Sequence, residues 1–147
     1  MELRRKRKSN IYKKFVGCFT KNGKQNTAIN IIINSLVNTS KNSKAKAIDT
    51  LKYLVSCLGV IIELRYVKSR KKQFTVPVPV NRNRRDYLIV KKMLNAINKS
   101  KGHYSLEKKL TTEMKNIVEG KDSYALDQRD EVVEEAVKNK GNLHFRW

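Results

Sequence analysis

Long apolar runs are missing from these 147 residues. None approaches the roughly 18 needed to cross a bilayer, which excludes a helical integral membrane protein. Cysteine is scarce: Cys18 and Cys57 stand far apart in apolar helical patterns, so buried free thiols are expected and a disulfide framework is not. His103 and His144 are the only histidines, and with two cysteines they form no metal-ligand spacing. No metal or other cofactor is expected. There is no glycine-rich phosphate loop, and no Cys–His or Ser–His–Asp set at a usable spacing. His103, beside Tyr104, reads as a loop residue, and Asp127 with Asp130 as acids at a helix start. An enzyme is therefore not expected. The N-terminus, MELRRKRKSN, lacks the apolar stretch that would complete a signal peptide. Positive charge continues past the point where a mitochondrial presequence would be removed, so a cleaved presequence is not expected either.

What the chain has instead is positive charge. Lysine and arginine number 33 against 13 acids, a formal charge of +20. A monomer of this size repels itself at that charge unless an anion compensates it, and nucleic acid or an anionic membrane surface are the usual partners. The excess is uneven. Residues 119–147 carry seven acids and five bases, a net −2, which leaves +22 on the first 118 residues. An anion-binding face must come from the front of the protein. The length suits one domain with a modest core.

Along the chain, residues 1–10 read as a basic arm with little apolar content, followed by one helical domain over 11–147. Ile11, Phe15 and Phe19, with Tyr12 and Val16, mark a first helix, and Gly23 is placed to end it. Thr27 or Asn26 is the expected cap of a second, whose stripe is Ile29, Ile32, Ile33, Leu36 and Val37. After the polar stretch NTSKNSK, a third points Ala47, Ile48, Leu51, Leu54, Val55 and Leu58 inward. Beyond Gly59 the period changes to two. Ile62, Leu64 and Tyr66 share one strand face and Glu63, Arg65 and Val67 the other; Phe74, Val76, Val78 and Val80 repeat the pattern, with VKSRKKQ as a basic turn. A β-hairpin is predicted over about 60–80. Pro77 and Pro79 are two apart, so their missing N–H groups face one edge, which must be an outer edge. Helix then returns. Asn81 or Asn83 is expected to cap a segment with Leu88, Ile89, Met93, Leu94 and Ile97. Ser105 opens a fifth helix, with Leu106, Leu110, Met114, Ile117 and Val118, and Gly120 stops it. A last one is expected from Asp127, with Val132, Val133, Ala136 and Val137 inward. The fold class is mostly α: about six helices with an inserted two-stranded arm.

The basic groups cluster in three places. The arm holds Arg4, Arg5, Lys6, Arg7 and Lys8, placed for phosphate contact. The hairpin tip holds Lys68, Arg70, Lys71 and Lys72. Arg82, Arg84 and Arg85 crowd the mouth of a helix, where guanidinium forks and helix-end N–H groups together suit a phosphate. Tyr12 and Tyr66 are candidates for stacking on exposed bases.

At this point the residues resemble a family. The order of basic arm, helices, hairpin with VPV, arginine pair, helices and a terminal H-x-R-W looks like small-subunit ribosomal protein seven, over Tyr12 to Trp147. Three blocks carry it: KKFVGCFTKNGKQNTAINIIINS (Lys13 to Ser35), QFTVPVPVNRNRRDYLIVKKML (Gln73 to Leu94) and LHFRW (Leu143 to Trp147). There are departures. Gln25 stands where a basic residue is usual after Gly-Lys, Arg70 and Lys71 replace two glycines of bacterial members, and Pro79 is an extra proline. ALDQRDEVVEE (125–135) is more acidic than its counterpart, so RNA contact is not carried to the last helix, which is expected to meet a protein neighbour. The resemblance implies a structural ribosomal protein that binds the 3′ major domain of small-subunit rRNA, nucleates assembly of the subunit head, and extends its hairpin toward the exit-site tRNA and mRNA path. It also adds Lys13, Lys14, Gly23, Lys24 and Arg65 to the rRNA-binding residues. Neighbouring head proteins are further partners; a membrane is not. SLEKK (Ser105 to Lys109) is similar to the plant mitochondrial branch, and abundant Lys, Asn and Ile suggest an AT-rich organellar gene. The expected place is the mitochondrial matrix, with another organelle or a bacterial cytoplasm as the alternatives. The competing functional readings are an architectural minor-groove DNA-binding protein and, third, a peripheral binder of anionic membrane.

Overall fold

The computed structural model describes residues 11–40, 44–69, 72–100 and 102–145. In them run α1 (Ile11–Phe19), α2 (Gln25–Thr39), α3 (Lys44–Leu58), β1 (Ile62–Ser69), β2 (Lys72–Pro79), α4 (Arg82–Lys99), α5 (Leu106–Glu119) and α6 (Tyr124–Lys138). A 3-10 turn over Lys140–Phe145 follows, which the sequence pattern does not reveal. The mostly helical class and the single inserted hairpin are as predicted. The expected N-terminal arm lies outside the described residues.

Helical spacing explains the core. Leu110, Met114 and Ile117 of α5, at i, i+4 and i+7, are 0%, 0% and 2% exposed. They meet Phe15 of α1, Ile32 and Leu36 of α2, Leu54 and Leu58 of α3, and Ile89, Met93 and Ile97 of α4 in one cluster. Each such side chain contributes roughly 1.5–3 kcal/mol by leaving water. Cys18 and Cys57 are free and half-buried.

Three expected core positions on α2, α3 and α5 turn outward: Ile33 is 41%, Ile48 61% and Val118 38% exposed. On α2 the inward face is Ala28, Ile32, Ser35 and Leu36. Ser35 takes the place of a larger residue, donating its hydroxyl to Ile31 O at 2.7 Å and reaching Glu107 O of α5 at 3.3 Å. A small, satisfied residue at that point lets α2 and α5 approach, which rotates Ile33 to the surface. Val133 and Val137 of α6 are likewise exposed, at 41% and 61%, while Ala125 and Ala136 are buried.

Caps differ in kind. Ser105 accepts from Lys108 N, and Gly120 ends α5 with φ +68°, as expected. Asn81 precedes α4, though its side chain caps nothing. The caps assigned to Thr27 or Asn26 are wrong: α2 begins two or three residues earlier, after Lys24, and the Thr27 hydroxyl donates back to Lys24 O at 2.7 Å. The start assigned to Asp127 is also wrong. α6 begins at Tyr124, where Glu113 of α5 accepts from Ser123 Oγ at 2.6 Å and from Ala125 N at 3.3 Å. Asn22 and Gly23 take the left-handed conformation in the turn between α1 and α2, with φ +52° and +73°.

The hairpin is a two-stranded antiparallel sheet. Its strands run on through most of the stretch expected as turn, to Ser69 opposite Lys72. Val80 N donates to Ile61 O at 2.7 Å, so bonded pairs alternate from there: Glu63 with Val78, Arg65 with Val76, Val67 with Phe74. Pro77 and Pro79, opposite Leu64 and Ile62, fall at the positions between. Their nitrogens face away from β1, on the outer edge, as predicted. The arm is nevertheless not free along its length. Val76 is 0% exposed and Pro77 is buried. The terminal 3-10 turn covers that edge: Asn142 Nδ2 donates to Thr75 O at 3.1 Å, and Phe145 stacks on Phe74 at 4.5 Å.

Candidate nucleic-acid interface

Helix α4 begins where the hairpin ends, so its first turn sits at the root of the finger. Helix α1 packs alongside. Lys14 of α1 donates its ammonium to the main-chain oxygen of Asn83, which brings the two basic segments together. Lys13 is exposed on the same helix, and Arg82 is exposed at the start of α4. Lys14 thereby meets the start of α4, with exposed Arg82 and Arg84, in one basic surface built from residues some seventy positions apart. Gly23 and exposed Lys24 lie in the turn beyond the C-terminal end of α1, whose last residue, Phe19, is about 8 Å along the axis from Lys14.

The arginine pair is divided in its duties. Arg84 grips Glu63 of β1 with Nη2 at 2.6 Å from Oε1 and Nε at 3.2 Å from Oε2. The hydrogen bonds and charge of Arg84 hold the Glu63 carboxyl below the ordinary carboxylate range, and Glu63 in turn raises the Arg84 guanidinium. Arg84 also lies 5.3 Å from the centre of the Tyr87 ring. It thus fixes the angle between finger and helix. Two of its five N–H groups are engaged by Glu63, leaving three for another acceptor. Arg85 turns inward and is half-buried, with an Nε that has no hydrogen-bond partner.

Along the finger, exposed Arg65 and exposed Lys68 fall on opposite faces, because the strand period is two. Lys72 is exposed opposite Ser69. Eight residues per strand carry these charges out by roughly 26 Å. Tyr66 shares the face of Lys68 and is 68% exposed, open to stacking. Tyr12 is partly buried against the core and is not. Arg4, Arg5, Lys6, Arg7, Lys8, Arg70 and Lys71 lie outside the described residues.

Three participants escape a reading of charge alone. Glu63 looks like one acid in a strand, and only the fold reveals it as the anchor of Arg84. Lys92 lies in a ≈ 160 Å³ cleft with Arg85, Glu63 and Val132. Burial, with help from Arg129, pushes its ammonium down to about 8, against the opposing pull of Asp130. Asp86 is 3% exposed, beneath the arginines. Periodicity could have found the last two. Asp86 shares the helix face of Val90, Met93 and Ile97, and Lys92 the row of Arg85, Ile89 and Ala96.

The last helix differs in character. Asp127, Glu131 and Glu135 recur every fourth residue on exposed positions of α6. Beside them an apolar groove of ≈ 390 Å³ runs between Ile62, Pro79, Val133, Val137 and Leu143. Among the described residues no group of histidines, cysteines or acids could hold a metal ion, and no helix is long and apolar enough to cross a membrane.

Comparison with known proteins finds relatives over nearly the whole length of the chain. The profile of the family described as Ribosomal protein S7p/S5e matches residues 2–140. The chain is similar to the small ribosomal subunit protein uS7 of Blochmanniella pennsylvanica, 27% identical over 139 residues, which is 95% of this chain and 88% of the relative. It is 27% identical to that of Acidobacterium capsulatum and 29% to that of Buchnera aphidicola from Cinara cedri, over the same shares of each chain.

Proposed function

The chain belongs to the Ribosomal protein S7p/S5e family of structural, non-enzymatic small-subunit proteins, and from that premise we propose that it binds the 3′ major domain of small-subunit rRNA in a mitochondrial ribosome. There it nucleates assembly of the subunit head and extends its hairpin toward the exit-site tRNA and mRNA path. The observation that carries the reading is the basic surface where α1 meets the start of α4, at the root of a projecting basic finger.

The chemistry is that of a shape reader. Lysine and arginine neutralise phosphates and release condensed counterions, while the rigid helices and the clamped finger fix the register on folded RNA. Arg82 and the three remaining N–H groups of Arg84 face a phosphate at the helix mouth. Arg65, Lys68 and Lys72 line the path along the finger, and Arg70, Lys71 and the basic residues Arg4, Arg5, Lys6, Arg7 and Lys8 add further phosphate contacts. Lys24, after Gly23, serves a second contact at the other end of α1. The acidic flank of α6 and its apolar groove face a protein neighbour in the subunit head, since like charge would repel RNA there.

The relatives named above are bacterial. The mitochondrial placement rests on the Lys-, Asn- and Ile-rich composition and on SLEKK. Competition tests the function. Structured small-subunit rRNA should displace the protein from duplex DNA at moderate salt; equal competition by random duplex overturns the reading. Sedimentation of the polypeptide with purified mitochondrial small subunits tests the place, and recovery only as free protein refutes it.

A further inference from the structure

At the junction of α1, α3 and α4 lies a cleft of ≈ 240 Å³ whose floor is apolar: Ile48, Leu51 and Val55 of α3, with Ile11 at one side. Its polar members are Lys52, Arg82, Arg85 and Asp86. Lys52 is occupied by Asp49 at 2.9 Å. Asp86 is not occupied. It is 3% exposed, and its Oδ2 is buried without any hydrogen-bond partner. The Nε of Arg85, the preceding residue, is buried and unpartnered as well.

A buried carboxylate oxygen without a donor destabilises the fold that holds it. Helix geometry keeps the two orphan groups from satisfying each other, because successive side chains on α4 diverge by about 100°. The neighbours that could shield Asp86 are arginines at the rim, not hydrogen-bond partners. The cleft is therefore lined by an acceptor-only group and by two arginines, over an apolar floor. Ile48, 61% exposed, forms a flat apolar wall of the kind a ring can lie against.

We infer that this cleft receives one unstacked guanine of a single-stranded rRNA segment, with Asp86 accepting from the N1–H and N2–H edge. Guanine is the base with two adjacent donors on its Watson–Crick edge, matching a carboxylate, and acceptors at O6 and N7, matching arginine. Cytosine and adenine offer one exocyclic amine each, and uracil one imino donor. The ring lies on Ile48 and Val55, Arg85 serves O6, and exposed Arg82 meets the adjoining phosphate. Asp86 is thus a specificity residue inside an interface that is otherwise sequence-blind. This inference rests on the rRNA-binding reading above.

The test uses the full chain and a transcript of the small-subunit 3′ major domain, probed with kethoxal, which modifies the N1–N2 edge of unpaired guanines. Wild-type protein should protect one guanine that Asp86→Asn leaves reactive, with the remaining protections unchanged. Affinity should fall roughly tenfold to a hundredfold, the range of a lost paired base contact. The melting temperature of free Asp86→Asn should be equal to or above wild type, since the substitution removes an unpaired buried charge; this separates lost recognition from lost folding. An identical guanine pattern for both proteins, or unchanged affinity, overturns the inference while leaving rRNA binding intact. A melting temperature well below wild type would show that Asp86 stabilises the free fold, and would also overturn it. Failure of wild type itself to bind the transcript in preference to duplex DNA sinks the underlying reading instead.

Discussion

Removing the Arg84–Glu63 clamp should loosen the finger from its helix and cost measurable stability. The pair is half in water: the Arg84 side chain is 49% exposed and Glu63 19%. Screening by that water holds an exposed ion pair to about 0.2–1 kcal/mol. Two parallel N–H···O bonds and the sheltered carboxylate place this one at the upper end, so a coupling of ~1 kcal/mol is expected between Arg84→Ala and Glu63→Gln. Arg84→Ala alone should cost more, about 1–2 kcal/mol, because it leaves Glu63 charged and partly shielded without a donor. In a domain of this size that is a fall of roughly 3–8 °C in melting temperature. The sign of the pH dependence follows from Glu63. Its folded pKa is lowered, so the stabilisation is complete above the ordinary value of 4.5 and is lost as pH falls through the depressed folded value. Urea denaturation of wild type, both single variants and the double variant, repeated from neutral to strongly acid conditions, measures the coupling. A coupling near zero at neutral pH, or one that persists in strong acid, would refute the clamp. The same variants report on RNA. Arg84→Ala should lower the slope of log affinity against log salt by ~1, and an unchanged slope would remove Arg84 from the phosphate contacts.

Lys92→Met should stabilise the protein at neutral pH, because the folded state holds the ammonium down to about 8 while the unfolded chain keeps the ordinary 10.5. A lowered folded pKa leaves the charged form penalised below 8 and relieves it as pH rises, so the gain over wild type should shrink toward pH ~10.4. Equal stability of the two proteins at neutral pH would contradict this. Pro77→Val with Pro79→Val restores two donors to the outer edge of β2, and analytical ultracentrifugation should detect concentration-dependent association that wild type lacks. A monomer at every concentration would show that the 3-10 turn alone protects the edge. Glu113→Ala should cost ~1 kcal/mol by removing the acceptor of Ser123 and Ala125 at the start of α6, as loss of a cap does elsewhere. Denaturation midpoints that coincide would place the capping energy in solvent.

The sequence and the structure agree where periodicity is long and local. The buried rows of α1 and α5, the Ser105 and Gly120 boundaries of α5, and the outer edge marked by Pro77 and Pro79 could all be read from spacing. Disagreement begins where a residue's partner is distant in the chain. The start of α6 is decided by Glu113 on the previous helix, so a scan for nearby acids settles on Asp127. Ile33 loses its core place to Ser35 because α2 needs a small residue where it meets Glu107 O. The same limit applies to the interface. A cluster of arginines shows where charge is dense, yet not that Arg84 is tethered to a strand twenty-one residues earlier or that Arg85 points inward. An acid among arginines reads as a solvated residue, although the helical phase of Asp86 places it in the core.

The contact between Asn142 and Thr75 spans 67 residues of chain. Both strands of the finger emerge from synthesis well before the segment that braces them, and contacts of such wide separation form late. Until Asn142 and Phe145 arrive, the outer edge of β2 offers Thr75 O to any passing donor. The final turn is in this sense a latch. It sets the finger only in chains translated nearly to residue 145, so a truncated product would carry the basic groups of α1, the finger and α4 and still hold its probe slack.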